Sequence, residues 1–158
     1  MLEPEFDPSS SVVLDLVASD DPSRGEQVGR MRFRLGVSDT EDFETWCALI
    51  SRRDLDVSGR TGLTFSIRSD QAYRLWVQVR DDNPDALREG TEWWSDSIRT
   101  SSEWRQVTVP FATMRSHDPD SDGQLDLGQI RALTFTLDSG AVKHGTAGTI
   151  WLDDLGVY

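Results

Sequence analysis

Tyr73-Arg-Leu-Trp-Val-Gln-Val-Arg80, followed by Thr91-Glu-Trp-Trp-Ser-Asp-Ser-Ile98, is the part of the chain on which the fold turns. Side chains of a strand alternate between its two faces, so Tyr73, Leu75, Val77 and Val79 point one way and Arg74, Trp76, Gln78 and Arg80 the other. The first set builds a core. The second carries an indole, an amide and two guanidinium groups, which suits a polar ligand that also has apolar faces. In the following stretch Trp94, Asp96 and Ile98 share one side and Trp93, Ser95 and Ser97 the other. Ile98 inside puts Trp93, Ser95 and Ser97 outside, beside Trp76, Gln78 and Arg80 if the strands are neighbours. That phase leaves Asp96 facing the core, where a carboxylate needs a donor or a bulge to turn it away.

The same period extends in both directions. Val12 to Val17 reads as a first strand, and Met31, Phe33 and Leu35 alternate with Arg30, Arg32 and Arg34 in a second. Beyond Ser38-Asp-Thr-Glu-Asp42, Phe43 to Ile50 is apolar. Leu63, Phe65 and Ile67 alternate with Thr64, Ser66 and Arg68; Val107 and Val109 precede Pro110; Leu133, Phe135 and Leu137 alternate with Thr134, Thr136 and Asp138; the last strand is Thr149 to Leu152. Phe111 to Met114 or Leu127 to Ile130 has room for one helical turn. Short strands between Gly, Asp and Ser turns, with no sustained helical period, predict an all-β antiparallel sandwich. Residues 1–10, with Pro4, Pro8 and the start of the run Ser9-Ser10-Ser11, predict an irregular lead-in, and 11–158 a single β-sandwich domain.

Sixteen basic against 28 acidic residues give a net charge of −12, which repels phosphate backbones and anionic lipid surfaces and argues against nucleic acid as a partner. No apolar run reaches the ~20 residues that span a bilayer, and Met1-Leu-Glu-Pro-Glu-Phe-Asp7 is unlike a signal peptide, so no membrane insertion is expected. Cys47 is the single cysteine and reads as a small core residue. His117 and His144 are the two histidines, and no nucleophile elbow, zinc-ligand set or phosphate-cradling loop accompanies them. Glycosidase chemistry needs two acids held about 5 to 9.5 Å apart across a cleft, and no pair stands out from the general acidity. The chain reads as no enzyme.

Five ordered segments carry a resemblance: Asp56-Val-Ser-Gly-Arg-Thr-Gly-Leu-Thr-Phe65, Tyr73 to Arg80, Trp104-Arg-Gln-Val-Thr-Val-Pro-Phe111, Leu125-Asp-Leu-Gly-Gln-Ile-Arg-Ala-Leu-Thr-Phe135, and Gly148-Thr-Ile-Trp-Leu-Asp-Asp-Leu-Gly-Val-Tyr158. Together they resemble the galactose-binding-like jelly-roll superfamily, above all bacterial carbohydrate-binding modules and the related domain of the complex I intermediate-associated protein. The resemblance implies a jelly roll and leaves two functions open, because one scaffold serves both. The first is a non-catalytic accessory module of a bacterial secreted or cell-envelope protein, binding carbohydrate beside other domains of a longer parent. The second is a protein-protein interaction or assembly-factor-like domain without sugar binding.

Trp76, Gln78, Arg80, Trp93, Ser95 and Ser97 are the candidate ligand residues. A pyranose packs its C–H face on an indole while its hydroxyls take hydrogen bonds from planar polar groups. The competing reading has Trp93 or Trp94 covering the sandwich edge and Arg80 paired with Asp81, Asp82 or Asp96. The resemblance also implies a structural calcium, with Asp7 near the start and Asp153 or Asp154 near the end as its ligands. Separately, Asp118-Pro-Asp-Ser-Asp-Gly-Gln-Leu-Asp126 has acids at positions 1, 3, 5 and 9 of a calcium loop and Gly123 at 6, but Gln129 stands where the bidentate Glu belongs. It fits a calcium loop or a solvated acidic hairpin. Trp104, beginning its strand, is expected to cap the core edge.

Overall fold

In the computed structural model, residues 1–37, 44–84 and 90–158 are described. The expected break at Ser38 to Asp42, and Phe43, lie outside the described residues. Among the described residues the strands are β1 (Glu3–Phe6), β2 (Ser11–Ala18), β3 (Gln27–Arg34), β4 (Trp46–Leu55), β5 (Gly62–Ser69), β6 (Arg74–Asp82), β7 (Thr91–Arg99), β8 (Arg105–Pro110), β9 (Arg115–Ser116), β10 (Ile130–Asp138) and β11 (Ala147–Val157), with a 3-10 turn at Phe111–Thr113. They form two sheets, β1-β4-β10-β6-β7-β9 and β2-β3-β11-β5-β8, in which every pairing is antiparallel. This is the sandwich that alternation predicts.

Alternation also fills the interior. Leu75, Val77 and Val79 of β6 are buried, as are Phe135 and Leu137 of β10, Cys47 and Leu49 of β4, and from the other sheet Met31, Phe33, Phe65, Ile67 and Ile150. Phe65 and Phe135 meet edge to face across the two sheets, centroids 5.0 Å apart, and Phe33 meets Tyr73 likewise at 5.1 Å. Cys47 is fully buried, and burial, reinforced by the Asp7 charge, pushes its thiol up to about 12, which leaves it an inert core side chain. Tyr73 sits at the seam: its hydroxyl donates to Asp70 Oδ1 at 2.7 Å, and Gly148 leaves it room, since a Cβ there would lie 1.9 Å from that hydroxyl.

Three expectations need correction. Residues 1–10 are not wholly irregular: Glu3–Phe6 is an edge strand on β4, and Pro4 is tolerated because an edge strand has a side on which no donor is needed. The last strand runs well past Leu152, to Val157, through a register shift between Asp153 and Gly156 at which Asp154 takes φ 54°. Trp104 does not cap the core. It lies in a stack on the outward side of the second sheet, with the Arg24 guanidinium 4.2 Å and the Arg68 guanidinium 5.3 Å from its ring, and Arg68 in turn 4.5 Å from the Trp151 ring.

The phenylalanine pair ties the two sheets together. Phe65→Ala and Phe135→Ala are each expected to cost about 3–5 kcal/mol in urea unfolding, and the double variant to cost less than the sum by about 0.5–1.5 kcal/mol, the coupling of an edge-to-face pair.

Candidate functional site

With Leu75, Val77 and Val79 inward, the rest of β6 must face out, and the register fixes its neighbours. Trp76 lies opposite Ser97 of β7, Gln78 opposite Ser95, and Arg80 opposite Trp93. On the other side of β6, Thr136 of β10 lies opposite Trp76, Thr134 opposite Gln78 and Ala132 opposite Arg80. Beyond β10, Ala48, Ile50 and Arg52 of β4 continue the same rows. The six expected residues therefore share one face in three consecutive rows, with tryptophans at opposite corners. Trp76 and Trp93 are separated by two rows, about 13 Å at the rise of a strand, so they form two aromatic points with a polar middle and not one contiguous platform.

The polar middle is ordered. Gln78 Nε2 donates to Ser95 Oγ at 3.1 Å, and the Thr134 and Thr136 hydroxyls are 3.1 Å apart. The aromatic corners are held as well. Trp76 Nε1 donates to Asp138 Oδ1 at 3.1 Å, and the Arg74 guanidinium lies 4.6 Å from the Trp76 ring. Arg80 Nε donates to Thr91 Oγ1 at 2.6 Å, and its guanidinium lies 5.7 Å from the Trp93 ring. Ser95 is buried, and Trp76, Gln78, Arg80, Trp93 and Ser97 are half-buried.

Strand β7 has the phase that Ile98 implied, and Trp94, not Trp93, is the inward indole, with 7% exposure. Asp96 does face inward, opposite Val77, and is satisfied there: its Oδ1 accepts the Ser97 amide at 2.7 Å and its Oδ2 the Thr113 hydroxyl at 2.6 Å, the latter from the 3-10 turn beside the sheet edge.

Residues that sequence reasoning missed complete the face. Trp46, opposite Asp138, lies in a stretch whose sequence reads only as apolar, but Trp46, Ala48 and Ile50 are the outward set of β4, and Cys47 and Leu49 the inward one. Asp138 continues the β10 register opposite Arg74, and Arg74 lies opposite Arg99. A fourth row thus reads Trp46, Asp138, Arg74, Arg99. The signal was the same alternation; what the sequence lacked was that β10 sits between β4 and β6.

The proposed calcium ligands do not come together. Asp7 is buried at the end of β1, where its Oδ1 accepts the Ser9 amide and hydroxyl at 2.8 and 2.6 Å and its Oδ2 accepts the Trp46 amide at 2.8 Å and the Ser10 hydroxyl. Ser10 Oγ in turn takes the Gly36 amide, next to the start of β11. Asp153 and Asp154 lie six to seven residues along β11, about 20 Å away at the rise of a strand, and Asp154 meets Arg24 and Ser66 at 3.1 and 3.0 Å. Asp7 has no lone pair to spare, so this set does not fit calcium. The Asp118 to Asp126 loop uses its acids on its own backbone and its neighbours: Asp118 accepts the Trp93 amide, Asp122 the Gln124 amide and Asp126 the Gly128 amide. Among the described residues no group of three or more acids, histidines or cysteines has the geometry of a metal site.

That loop closes over two buried carboxylates, Asp81 and Glu92, cross-strand neighbours that face inward. Burial pushes both up, but Glu92 accepts from the Ser121, Asn83 and Ser116 side chains and the Asp122 amide, and ends below its ordinary value. Among the described residues Asp81 accepts only the Asp126 amide at 2.6 Å and Trp94 Nε1 at 3.0 Å, and burial with the Glu92 charge raises it to about 6. Asp7 is the opposite case. Burial pushes it up, but the Ser10 and Ser9 hydroxyls with the Trp46 and Ser9 amides more than offset that and hold it at about 2.

Solved structures share this architecture. A family 11 carbohydrate-binding module from Clostridium thermocellum, in complex with a β-1,3-1,4-mixed-linked tetrasaccharide, superposes with a TM-score of 0.73 at 19% identity over 99% of this chain and 87% of that one. A family 30 module of a cellulosomal cellulase of the same organism gives 0.68 at 12% identity over 99% and 90%. The chain also matches 23% of an exo-β-agarase, with a TM-score of 0.58 and 13% identity. The resemblance to jelly-roll carbohydrate-binding modules is thus borne out as a likeness of fold. No protein-family model matches the chain, and no curated protein matches it in sequence.

The two acids give stability opposite pH slopes. Asp7 contributes above about pH 4, and the contribution is lost as pH falls through about 2; Asp81 contributes fully below about pH 4, and its contribution is lost as pH rises through about 6. Unfolding free energy measured by urea titration from pH 2 to 7 should pass through a maximum between these limits. Asp7→Asn should flatten the acid limb, equally with and without added calcium, and Asp81→Asn should flatten the other.

Proposed function

We propose that the outward face of the six-stranded sheet binds an oligo- or polysaccharide and that the chain is a non-catalytic carbohydrate-binding module. The observation that carries this reading is the three-row arrangement of Trp76, Gln78, Arg80, Trp93, Ser95 and Ser97 on one face. Two half-buried indoles offer stacking surfaces. Between them, Gln78 spends one amide proton on Ser95 and keeps its carbonyl oxygen and second proton among the described residues, a donor and acceptor for sugar hydroxyls. The spacing of the indoles exceeds one sugar ring, which favours a chain over a monosaccharide.

Fold neighbours that are carbohydrate-binding modules, one of them with a mixed-linked tetrasaccharide bound, support the same reading. Its setting is a secreted or cell-envelope protein, in which the module holds neighbouring domains close to a glycan. Guanidinium contacts hold both indoles before any ligand arrives, which lowers the ordering cost, but the open face limits affinity to the millimolar to micromolar range, about −4 to −8 kcal/mol.

Affinity electrophoresis and calorimetry with mixed-linked β-1,3-1,4-glucan and a panel of other polysaccharides test this. Trp76→Ala or Trp93→Ala should weaken binding of the recognised glycan roughly tenfold or more while leaving the melting temperature within a few degrees. Retained binding in the double variant, or no glycan bound by the parent, overturns the reading and favours a protein-interaction domain.

A further inference from the structure

The row at the Trp76 end of the face contains an arrangement that neutral-sugar binding does not require. Arg74 and Arg99 are direct cross-strand partners, which puts their Cβ atoms about 5 Å apart and sets like charges side by side, a destabilising pair in an antiparallel sheet. Both side chains are exposed. Arg74 donates to Ser97 Oγ at 3.1 Å and leans over Trp76, and Arg99 has no side-chain partner among the described residues. Among the described residues no carboxylate comes within ion-pair distance of either. Asp138, which continues the β10 register opposite Arg74, is engaged through Oδ1 by Trp76 Nε1 and the Ala141 amide.

The contrast with the other sheet is informative, because it carries similar residues. There Arg24 meets Asp154 and Asp21, Arg30 and Arg32 share Asp15, and Arg68 meets Asp20. In a chain with 28 acids and 16 bases, carboxylates are in excess. Two adjacent guanidiniums left without one, beside an indole and a serine hydroxyl on the candidate binding face, form a place for an anion supplied from outside. Each guanidinium can present parallel N–H donors to a planar carboxylate or to a sulfate.

We propose that the Trp76 end of this face recognises a sugar bearing a negative charge, with Arg74 and Arg99 gripping the anion while the ring packs against Trp76. This rests on the reading of the face as a glycan-binding surface and narrows it to acidic glycans. The net charge of −12 opposes a polyanion at long range, but at physiological ionic strength that field is screened beyond about 8 Å, whereas the two guanidiniums act in contact.

Calorimetry with three probes tests the proposal: a uronic-acid oligosaccharide, a sulfated galactan oligosaccharide and neutral mixed-linked glucan. At least one acidic probe should bind more tightly than the neutral one, and whether it is the uronate or the sulfate identifies the source of the anion. Arg99→Gln should reduce the ratio of acidic to neutral affinity roughly tenfold. Its melting temperature should hold or rise, because a like-charge contact is relieved, so a loss of binding is not a loss of fold. Arg99→Lys, which keeps the charge without the planar fork, should recover only part of the ratio. If the neutral glucan binds, Trp76→Ala abolishes that binding, and the acidic probes are no better with or without Arg99, the inference fails while the glycan-binding reading stands. If no probe binds and a wider polysaccharide panel also fails, both fall together.

Discussion

The burial of Leu75, Val77 and Val79 between the sheets is the constraint on which the rest of the molecule depends. Each is at most 1% exposed, and each aliphatic side chain buried contributes about 1.5–3 kcal/mol. A one-residue slip of β6 would expose all three and drive Trp76, Gln78 and Arg80 inward. Burying an unpaired guanidinium and amide adds several kcal/mol to that loss, and the total rivals the whole stability of a small domain, about 5–15 kcal/mol. The phase of β6 is therefore not negotiable. Its outward residues are fixed as firmly as its core, and through antiparallel pairing they fix the phases of β7 and β10, and through β10 that of β4.

Placing a site this way has a structural advantage over building it on loops. The outward side chains stand on four hydrogen-bonded strands whose inner faces are packed, so their backbone positions are set before a ligand arrives. The remaining freedom is in the side chains, and much of it is already used: Trp76 is held by Asp138, Gln78 by Ser95 and Arg80 by Thr91. At one end of the sandwich, polar groups reach the interior without cost of the usual kind. Asp81 and Glu92 are buried and adjacent, yet an unequal division of donors lets one remain ionised while the other takes a proton at mildly acidic pH.

How much of this was legible in the sequence follows from what period-two alternation can and cannot say. Alternation identifies faces, so the inward and outward sets of β6 and β7 could be read directly, Ile98 deciding the second. It carries no information about which strands are neighbours. Trp46, Thr134, Thr136 and Asp138 were outward by the same rule, but nothing local revealed that β10 runs between β4 and β6. Nor does it reveal partners distant in sequence: Asp96 looked like a buried liability until Thr113 came to it from the 3-10 turn. The calcium expectation failed for a related reason. Asp7 and Asp153 were linked by family likeness, whereas serines two and three residues beyond Asp7 satisfy its carboxylate locally.

Fifteen of the sixteen basic residues are arginine, and the structure uses the difference from lysine. An ammonium is a strongly hydrated point charge, whereas a guanidinium is flat, weakly hydrated and able to stack on an indole while its edge still donates. On the five-stranded sheet Arg24 and Arg68 stack on Trp104 and Trp151 and reach aspartates with their terminal nitrogens. On the six-stranded sheet Arg74 and Arg80 stack on Trp76 and Trp93 and spend an Nε on the hydroxyls of Ser97 and Thr91. The two faces thus share one structural device and differ in how its charge is met. Beside the stacked indoles of the first, the protein supplies the counter-charge itself. At the Arg74 and Arg99 corner of the second no described carboxylate does so, and that difference, more than the aromatic content common to both, is what sets this corner apart.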